Sequence, residues 1–224
     1  MGIALPRWVW IGAICLSAVA GMVNVVGFLG FEHQGLGHLT GATSQLGIAL
    51  SSGRWNLVID LWGLLLALCA GAMLSGLVIQ DQQLRMGRRY GVMLLIECTL
   101  LLAAIPLFEQ HHIAGAWIAA AACGIQNALA TTFSGAIIRT THLTGMFTDL
   151  GIGLGHLMRG LPLAPRRLAL SALIIGSFLA GSMAGALLFL RLGYSALTVT
   201  AVLTGLAGGG YIVLAALVRH RTRG

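Results

Sequence analysis

A short polar motif occurs twice in an otherwise apolar chain. His38-Leu39-Thr40-Gly41 recurs as His142-Leu143-Thr144-Gly145, and six of ten positions are identical between 38–47 and 142–151. A Thr-Gly turn can open a helix, with the threonine capping the first free N–H groups and the glycine allowing close helix approach. A helix N-terminus of this kind attracts negative charge. The motif therefore predicts a site for an anion or a polar neutral solute, and disfavours a cation.

The similarity extends beyond the motif itself. Upstream, Gly21-x-x-Asn24 parallels Gly124-x-x-Asn127, and downstream Asp149 aligns with Gln45. We predict two related halves that bring their polar residues together at one interface, where these residues line a substrate-binding or permeation site. The residues expected there are Asn24, His38, Thr40, Gly41, Thr43, Asn127, Thr141, His142, Thr144, Gly145 and Asp149. The alternative is that the motif only packs helices, because small and hydroxyl residues also hold membrane helices together.

Two further charges lie within or close to apolar segments. Glu97 falls inside an apolar run, and a charge at that depth is costly and commonly functional. It could accept a coupling proton, pair with Arg139, or act as a protonated structural donor. Asp149 could relay a proton together with His156, or could line a solvated vestibule.

Composition identifies the solvent that these elements face. The hydrophobic residues make up 58% of the 224 residues and the charged ones only 8%, against about a quarter in a soluble domain. Mean hydropathy is +0.92. These values exclude a conventional soluble enzyme, a disordered chain and a disulfide scaffold, and they predict a protein embedded in a lipid bilayer.

The net charge of +7 comes entirely from arginine, since the chain contains no lysine. The arginines stand at the ends of apolar runs instead of along one polar face, so we expect no nucleic-acid partner. The chain lacks HExxH, GxSxG and a Walker lysine, and it has no metal-ligand spacing. We therefore predict that it is not an enzyme and that it needs no cofactor and no metal.

Six apolar runs are long enough to cross a bilayer, which takes about 20 residues. They are 8–30, 57–79, 90–108, 113–135, 168–190 and 195–218. Two shorter segments, 38–52 and 142–158, are semi-polar. If both are re-entrant and the N-terminus is cytoplasmic, eleven of the thirteen arginines lie inside and only Arg54 and Arg191 lie outside. The positive-inside rule favours this arrangement, in the bacterial inner membrane with both termini cytoplasmic.

The predicted fold is therefore all-α. It is a polytopic membrane protein with six transmembrane helices and two re-entrant half-helices. Residues 1–218 form a single transmembrane domain, with repeat one at 8–108 and repeat two at 113–218, and 219–224 form a basic cytoplasmic tail. Because three spans per half is an odd number, the halves must be inverted relative to each other, as in many transporters.

These motifs resemble the YoaK-like family. The resemblance rests on Gly-x-x-Asn, His-Leu-Thr-Gly, and the run Thr140-Thr141-His142-Leu143-Thr144-Gly145 followed by Thr148-Asp149-Leu150-Gly151. It covers nearly the whole chain. This chain departs from the family pattern at Asn24, where members often carry Asp, and at Ala42, where they often carry Asn. The family comprises bacterial integral membrane proteins of unknown function that are often labelled permeases, so the resemblance implies location and architecture without naming a substrate.

The predicted function is a permease, either a secondary transporter or a channel, for a small polar or anionic solute. The alternative is a membrane sensor or assembly partner without transport activity. Association into a homo-oligomer is compatible with the sequence. The GxxxG spacings at Gly181 and Gly185, and at Gly205 and Gly209, are expected to serve helix packing alone.

Overall fold

The computed structural model describes residues 7–30, 36–37, 39–79, 88–133, 140–163 and 165–221. These residues form eight α helices and one 3-10 turn, and they contain no strand, which confirms the all-α fold. The helices are α1 (Arg7–Gly30), α2 (Leu39–Ser51), α3 (Trp55–Val78), α4 (Arg88–Glu109), α5 (Ala114–Phe133), α6 (Leu143–Met158), α7 (Pro165–Leu192) and α8 (Leu197–Arg221). Each predicted run and each semi-polar segment is helical, with ends within a few residues of those expected.

Four stretches of the described chain are long and apolar enough to cross a membrane. They are Val9–Gly30, Trp55–Val78, Arg88–Glu109 and Pro165–Leu217. The last is 53 residues long and turns at Gly193, where φ is +58°, so it comprises both α7 and α8. Helix α5 is not among the four, since Gln126 and Asn127 lower its mean hydropathy. The fold is thus that of a helical membrane protein.

The buried apolar side chains form two separate clusters. The Phe108 core includes Val23, Leu36, Leu46, Leu61, Leu101, Phe108, Ala119, Cys123 and Leu197. The Met93 core includes Val9, Ala13, Ile79, Met93, Leu94, Ile125, Leu129, Met146 and Ile174. Because α1, α4 and α5 each contribute buried residues to both cores, the two clusters lie toward opposite ends of these helices.

Helices α1 and α5 run in opposite directions between the two cores. Helix α1 begins in the Met93 core with Val9 and reaches the Phe108 core with Val23, whereas α5 runs from Ala119 in the Phe108 core to Leu129 in the Met93 core. The short helices divide in the same way, because α2 contributes its buried residues to the Phe108 core and α6 contributes Met146 to the Met93 core. The two short helices therefore lie in opposite halves of the molecule.

Two helix pairs, α1 with α7 and α3 with α5, make the same close contact through glycine. A Cβ on any of four glycines would clash with a backbone carbonyl of the neighbouring helix. These contacts are Gly21 with Phe178, Gly181 with Ala18, Gly124 with Leu68, and Gly71 with Ala121. The two crossings use matching positions. Gly124 of α5 lies 103 positions after Gly21 of α1, and Gly181 of α7 lies 110 positions after Gly71 of α3. The helices can approach this closely only where no side chain intervenes.

The GxxxG expectations are confirmed for one pair and fail in part for the other. Gly181 and Gly185 pack against α1, and a Cβ on Gly185 would lie 2.8 Å from Cα of Met22. Gly205 lies against Cys98, but a Cβ on Gly209 would meet open space. The packing role predicted for Gly209 is wrong, because that face of α8 has no helix beside it.

One end of the bundle is closed by aromatic rings. The Tyr194 ring stacks on Phe108 with a centroid distance of 4.9 Å, and its hydroxyl donates to the carbonyl oxygen of Gly30. The Ser195 hydroxyl lies 3.4 Å from Oε1 of Glu109. The end of α1, the end of α4 and the turn between α7 and α8 are thereby joined.

Candidate functional site

An asparagine near the end of α1 holds the chain just before α2. The side-chain oxygen of Asn24 accepts a hydrogen bond from the backbone N–H of Gly37 at 3.3 Å. Leu36 is fully buried at this point. The contact satisfies a backbone donor that would otherwise be costly to leave unpaired in the interior.

The second asparagine does the same for the chain before α6. The side-chain oxygen of Asn127 accepts from Oγ1 of Thr141 at 3.0 Å and from Oγ1 of Thr140 at 3.4 Å. Both threonines are buried. The partners lie 13 and 14 residues after Asn127, and Gly37 lies 13 residues after Asn24. In both copies of the Gly-x-x-Asn pattern the asparagine oxygen thus accepts from the segment before a short helix, from a backbone N–H in the first and from two hydroxyls in the second.

The two held segments touch each other. A Cβ on Gly37 would lie 3.4 Å from Cγ2 of Thr141 and 3.6 Å from Sγ of Cys123. Cys123 is buried and lies midway along α5. The chain segments that precede α2 and α6 therefore meet beside the middle of a long helix, where Asn24, Gly37, Cys123, Asn127, Thr140 and Thr141 form what we call the central cluster.

Two buried polar side chains adjoin the central cluster, and each has a polar atom without a partner among the described residues. Glu97 and Gln126 are each 2% exposed, and these atoms are Oε2 of Glu97 and Nε2 of Gln126. Glu97 is close enough to Cys123 to interact with it electrostatically. A buried polar atom left unpaired costs about 1–3 kcal/mol, so two of them beside one cluster call for a role.

The positions of Glu97 and Gln126 along their helices agree with each other. Glu97 lies between Leu94 of the Met93 core and Leu101 of the Phe108 core, and Gln126 lies between Cys123 of the Phe108 core and Leu129 of the Met93 core. Both side chains therefore sit where the two apolar cores meet, which is the level of the central cluster.

The motif residues on the short helices are not part of the central cluster. Helix α2 packs on α3 and α6 packs on α7, and both leave one face outward. The exposed motif residues are Thr40, Gly41, Thr43, His142, Thr144 and Gly145. In the part of the chain that the structure describes, they lie on the faces of α2 and α6 that point away from α3 and α7.

Two roles expected of the motif are corrected by the structure. Helices α2 and α6 begin at Leu39 and Leu143, so Thr40 and Thr144 lie inside the first turn and cannot cap it. A Cβ on Gly41 or Gly145 would meet nothing within 4 Å, so neither glycine serves close helix approach. The hydroxyl of Thr43 instead donates to the carbonyl oxygen of Leu39 at 2.9 Å.

Asp149 is engaged at the edge of the molecule. It forms a bidentate ion pair with Arg167 of α7, at 2.7 and 3.0 Å. His156 is exposed on α6 and takes no part in this pair. The structure does not bring Asp149 to the central cluster. His38 and Arg139 lie outside the described residues, and so does the predicted pairing of Arg139 with Glu97.

The central cluster includes residues that were not among the predicted site residues, namely Gly37, Cys123 and Thr140, and Gln126 adjoins it. Gln126 could have been found, because an amide side chain within an apolar helix and next to Asn127 is unusual at membrane depth. Its counterpart in the first half is Val23, so a search for matching residues passes over it. Gly37 carries no side-chain signal at all.

The central cluster and its neighbours offer amide oxygens, an amide N–H₂, hydroxyl groups and one carboxyl group. This set can bind a small polar molecule through hydrogen bonds and can hold one proton on Glu97. Among the described residues no group of three or more His, Cys, Asp or Glu side chains could hold a metal ion.

No curated protein and no solved structure matches the chain. Residues 12–209, which include all of the central cluster and both copies of the motif, match a family described as a protein of unknown function. Since this match covers most of the sequence, the chain belongs to the DUF1275 family of proteins of unknown function.

Proposed function

We propose that this membrane protein is a permease, a secondary transporter or a channel, that passes a small polar or anionic solute. One observation carries the proposal: the segments before α2 and α6 meet at Gly37 and Thr141, held by Asn24 and Asn127, beside the unpartnered Glu97 and Gln126. Irregular backbone at membrane depth is tolerated where it lines a cavity or is buried in protein. Two such breaks meeting at one point are typical of transporter binding sites.

The architecture that we propose is six transmembrane spans with α2 and α6 as re-entrant half-helices in an inverted 3+3 repeat. Three features support it: helices α1 and α5 run in opposite directions, the short helices lie in opposite halves, and the arginines then fall eleven to two across the bilayer. The location is the bacterial inner membrane with both termini cytoplasmic. The YoaK-like resemblance of the motifs agrees with this assignment.

Electrostatics narrows the choice of solute. Helices α2 and α6 begin two residues after Gly37 and Thr141, so the positive ends of both helix dipoles lie close to their contact. This field favours an anion or the negative end of a polar molecule. A charged Glu97 would repel an anion in the same place. An anionic solute is therefore expected to bind together with a proton on Glu97, whereas a neutral solute needs none.

The test is flux through reconstituted protein. Proteoliposomes are challenged with urea and glycerol as neutral probes and with formate as an anionic probe, and volume changes are followed by stopped-flow light scattering. We expect one probe class to enter faster than in protein-free vesicles. Asn127→Ala should abolish this entry, because Thr140 and Thr141 lose their common acceptor. Thr132→Ala is the matched control on α5, since its hydroxyl binds only the Ala128 carbonyl oxygen of its own helix. Equal flux in wild type, Asn127→Ala and protein-free vesicles contradicts the proposal.

A second candidate function, assembly with another membrane protein, is favoured by the outward faces of α2 and α6. Thr40, Thr43 and Thr144 are exposed there, and small and hydroxyl residues at such positions promote helix association in lipid. Purification of a stoichiometric partner together with the absence of flux in liposomes would support assembly over transport.

A further inference from the structure

An apolar cavity of about 410 Å³ lies between α1, α4, α5 and α8, at the Met93 end of the molecule. Its walls include Gly12 and Cys15 of α1, Leu94 of α4, Leu129 of α5, and Gly210 and Leu214 of α8. Cys15, Gly210 and Leu214 are exposed, whereas Leu94 and Leu129 are buried. The cavity therefore opens sideways between α1 and α8 and ends on buried leucines.

The corresponding place in the other half is filled by protein. Helices α4 and α5 correspond to α8 and α1 in the proposed repeat. Between α4 and α5, Phe108 lies so close to Gly115 that a Cβ there would be 3.1 Å from its ring. The ring of Phe108 is in turn stacked on Tyr194. The cavity is thus a feature of one end only, and it is not a general consequence of how these helices pack.

We propose that this cavity binds one acyl chain of a membrane phospholipid. An apolar void of about 150 Å³ is already large enough for benzene, so 410 Å³ accepts a longer chain. Water needs two to four polar partners to remain in a cavity, whereas these walls are almost entirely apolar, although Cys15, Tyr90 and Tyr211 belong to them. Since the opening lies between two membrane helices, the molecules that reach it are those of the surrounding bilayer.

Charge at the same end of the molecule fits the phosphate of such a lipid. Arg88 and Arg89 are exposed in the first turn of α4, immediately before Tyr90, which lines the cavity. Helix α4 also presents the positive end of its dipole there. A chain inserted between α1 and α8 thus leaves its headgroup beside two cations.

Two glycines allow the cavity to be filled without disturbing the fold. A Cβ on Gly12 or Gly210 would meet nothing within 4 Å, and both residues line the cavity. Gly209 is the matched control, because a Cβ there also meets open space although Gly209 is not part of the cavity wall. Gly12→Leu and Gly210→Leu should therefore block the chain, and Gly209→Leu should not.

The experiment is native mass spectrometry of the full chain released from phosphatidylglycerol-containing micelles. We expect one retained phosphatidylglycerol in the wild type and in Gly209→Leu, and roughly tenfold less retention in Gly12→Leu and Gly210→Leu. Arg88→Gln should lower retention of phosphatidylglycerol but leave the unfolding temperature unchanged. Equal retention in all glycine variants, or retention of a free fatty acid in place of the phospholipid, would overturn the proposal. The outcome does not depend on transport activity.

Discussion

Gly37 and Thr141 lie side by side, although 104 residues separate them in the sequence. Each is held by an asparagine of a preceding long helix, and each is followed two residues later by the start of a short helix. The two short helices thus begin at one central point and end in opposite halves of the molecule. The positions of their ends can therefore be tested directly.

The ends of α2 and α6 are expected on opposite sides of the membrane. Arg54 follows α2, which lies with the Phe108 core, and Arg159 follows α6, which lies with the Met93 core. In spheroplasts a membrane-impermeant maleimide should label Arg54→Cys and should label Arg159→Cys only after the membrane is opened. The wild-type chain, whose cysteines lie within the helices, gives the background. Labelling of both variants from one side would contradict the inverted arrangement.

Removal of the two asparagine side chains should have unequal effects on stability. Asn127→Ala removes two hydrogen bonds, those from the buried hydroxyls of Thr140 and Thr141, whereas Asn24→Ala removes one, that from the Gly37 N–H. We expect Asn127→Ala to lower the free energy of unfolding by about 1–3 kcal/mol, and Asn24→Ala by less. Unfolding in mixed micelles with increasing denaturing detergent measures both. Thr132→Ala should change little, and an equal loss in all three variants would contradict the assigned contacts.

The two glycine crossings should respond alike to a methyl group. Gly124→Ala and Gly21→Ala each place a Cβ against a backbone carbonyl that cannot move aside easily. A loss of about 1–3 kcal/mol is expected in both, as for other overpacked positions. Gly76→Ala is the control, because a Cβ there meets open space and alanine favours the helix. Retention of wild-type stability by Gly124→Ala would show that α3 and α5 do not cross this closely.

The helix positions could be predicted from the sequence, but the directions of the motif side chains could not. Apolar runs bounded by arginine and glycine define α1, α3, α4, α5, α7 and α8 within a few residues, and Asn24 and Asn127 stand at nearly the same spacing from the motif in both halves of the sequence. The hydroxyl pattern of α2 is compatible with either face being buried. Packing against α3 decides which face it is, and such packing leaves no local signal in the sequence.

Gln126 is a polar residue near the central cluster that has no polar counterpart in the first half of the sequence. Its counterpart Val23 is apolar, so symmetry at the sequence level hides a polar group that the fold places beside the central contact. Functional asymmetry between two related halves is invisible to a search for what they share. The same reasoning applies to Glu97, which was found through the cost of its charge and not through a matching residue.

The Asp149–Arg167 ion pair is expected to contribute little to either stability or flux. Arg167 is 69% exposed, and pairs of this kind contribute about 0–1 kcal/mol. Asp149→Asn and Arg167→Gln should each lower the free energy of unfolding by no more than that, and the double variant should not add the two losses. If Asp149→Asn keeps its fold but loses probe entry, Asp149 belongs to the permeation site after all.

Glu97 is expected to determine whether solute movement is coupled to protons. Gln at position 97 keeps the volume and most of the hydrogen-bonding capacity of the side chain but cannot take up a proton, so Glu97→Gln should fold with unchanged stability. Labelled formate should accumulate in wild-type proteoliposomes with an alkaline interior, and it should only equilibrate in proteoliposomes that contain Glu97→Gln. Glu109→Gln is the control, because Glu109 is exposed at the far end of the same helix. If Glu97→Gln still accumulates formate, the carboxyl group has a structural role only. If the wild type only equilibrates formate, the protein acts as a channel for this probe.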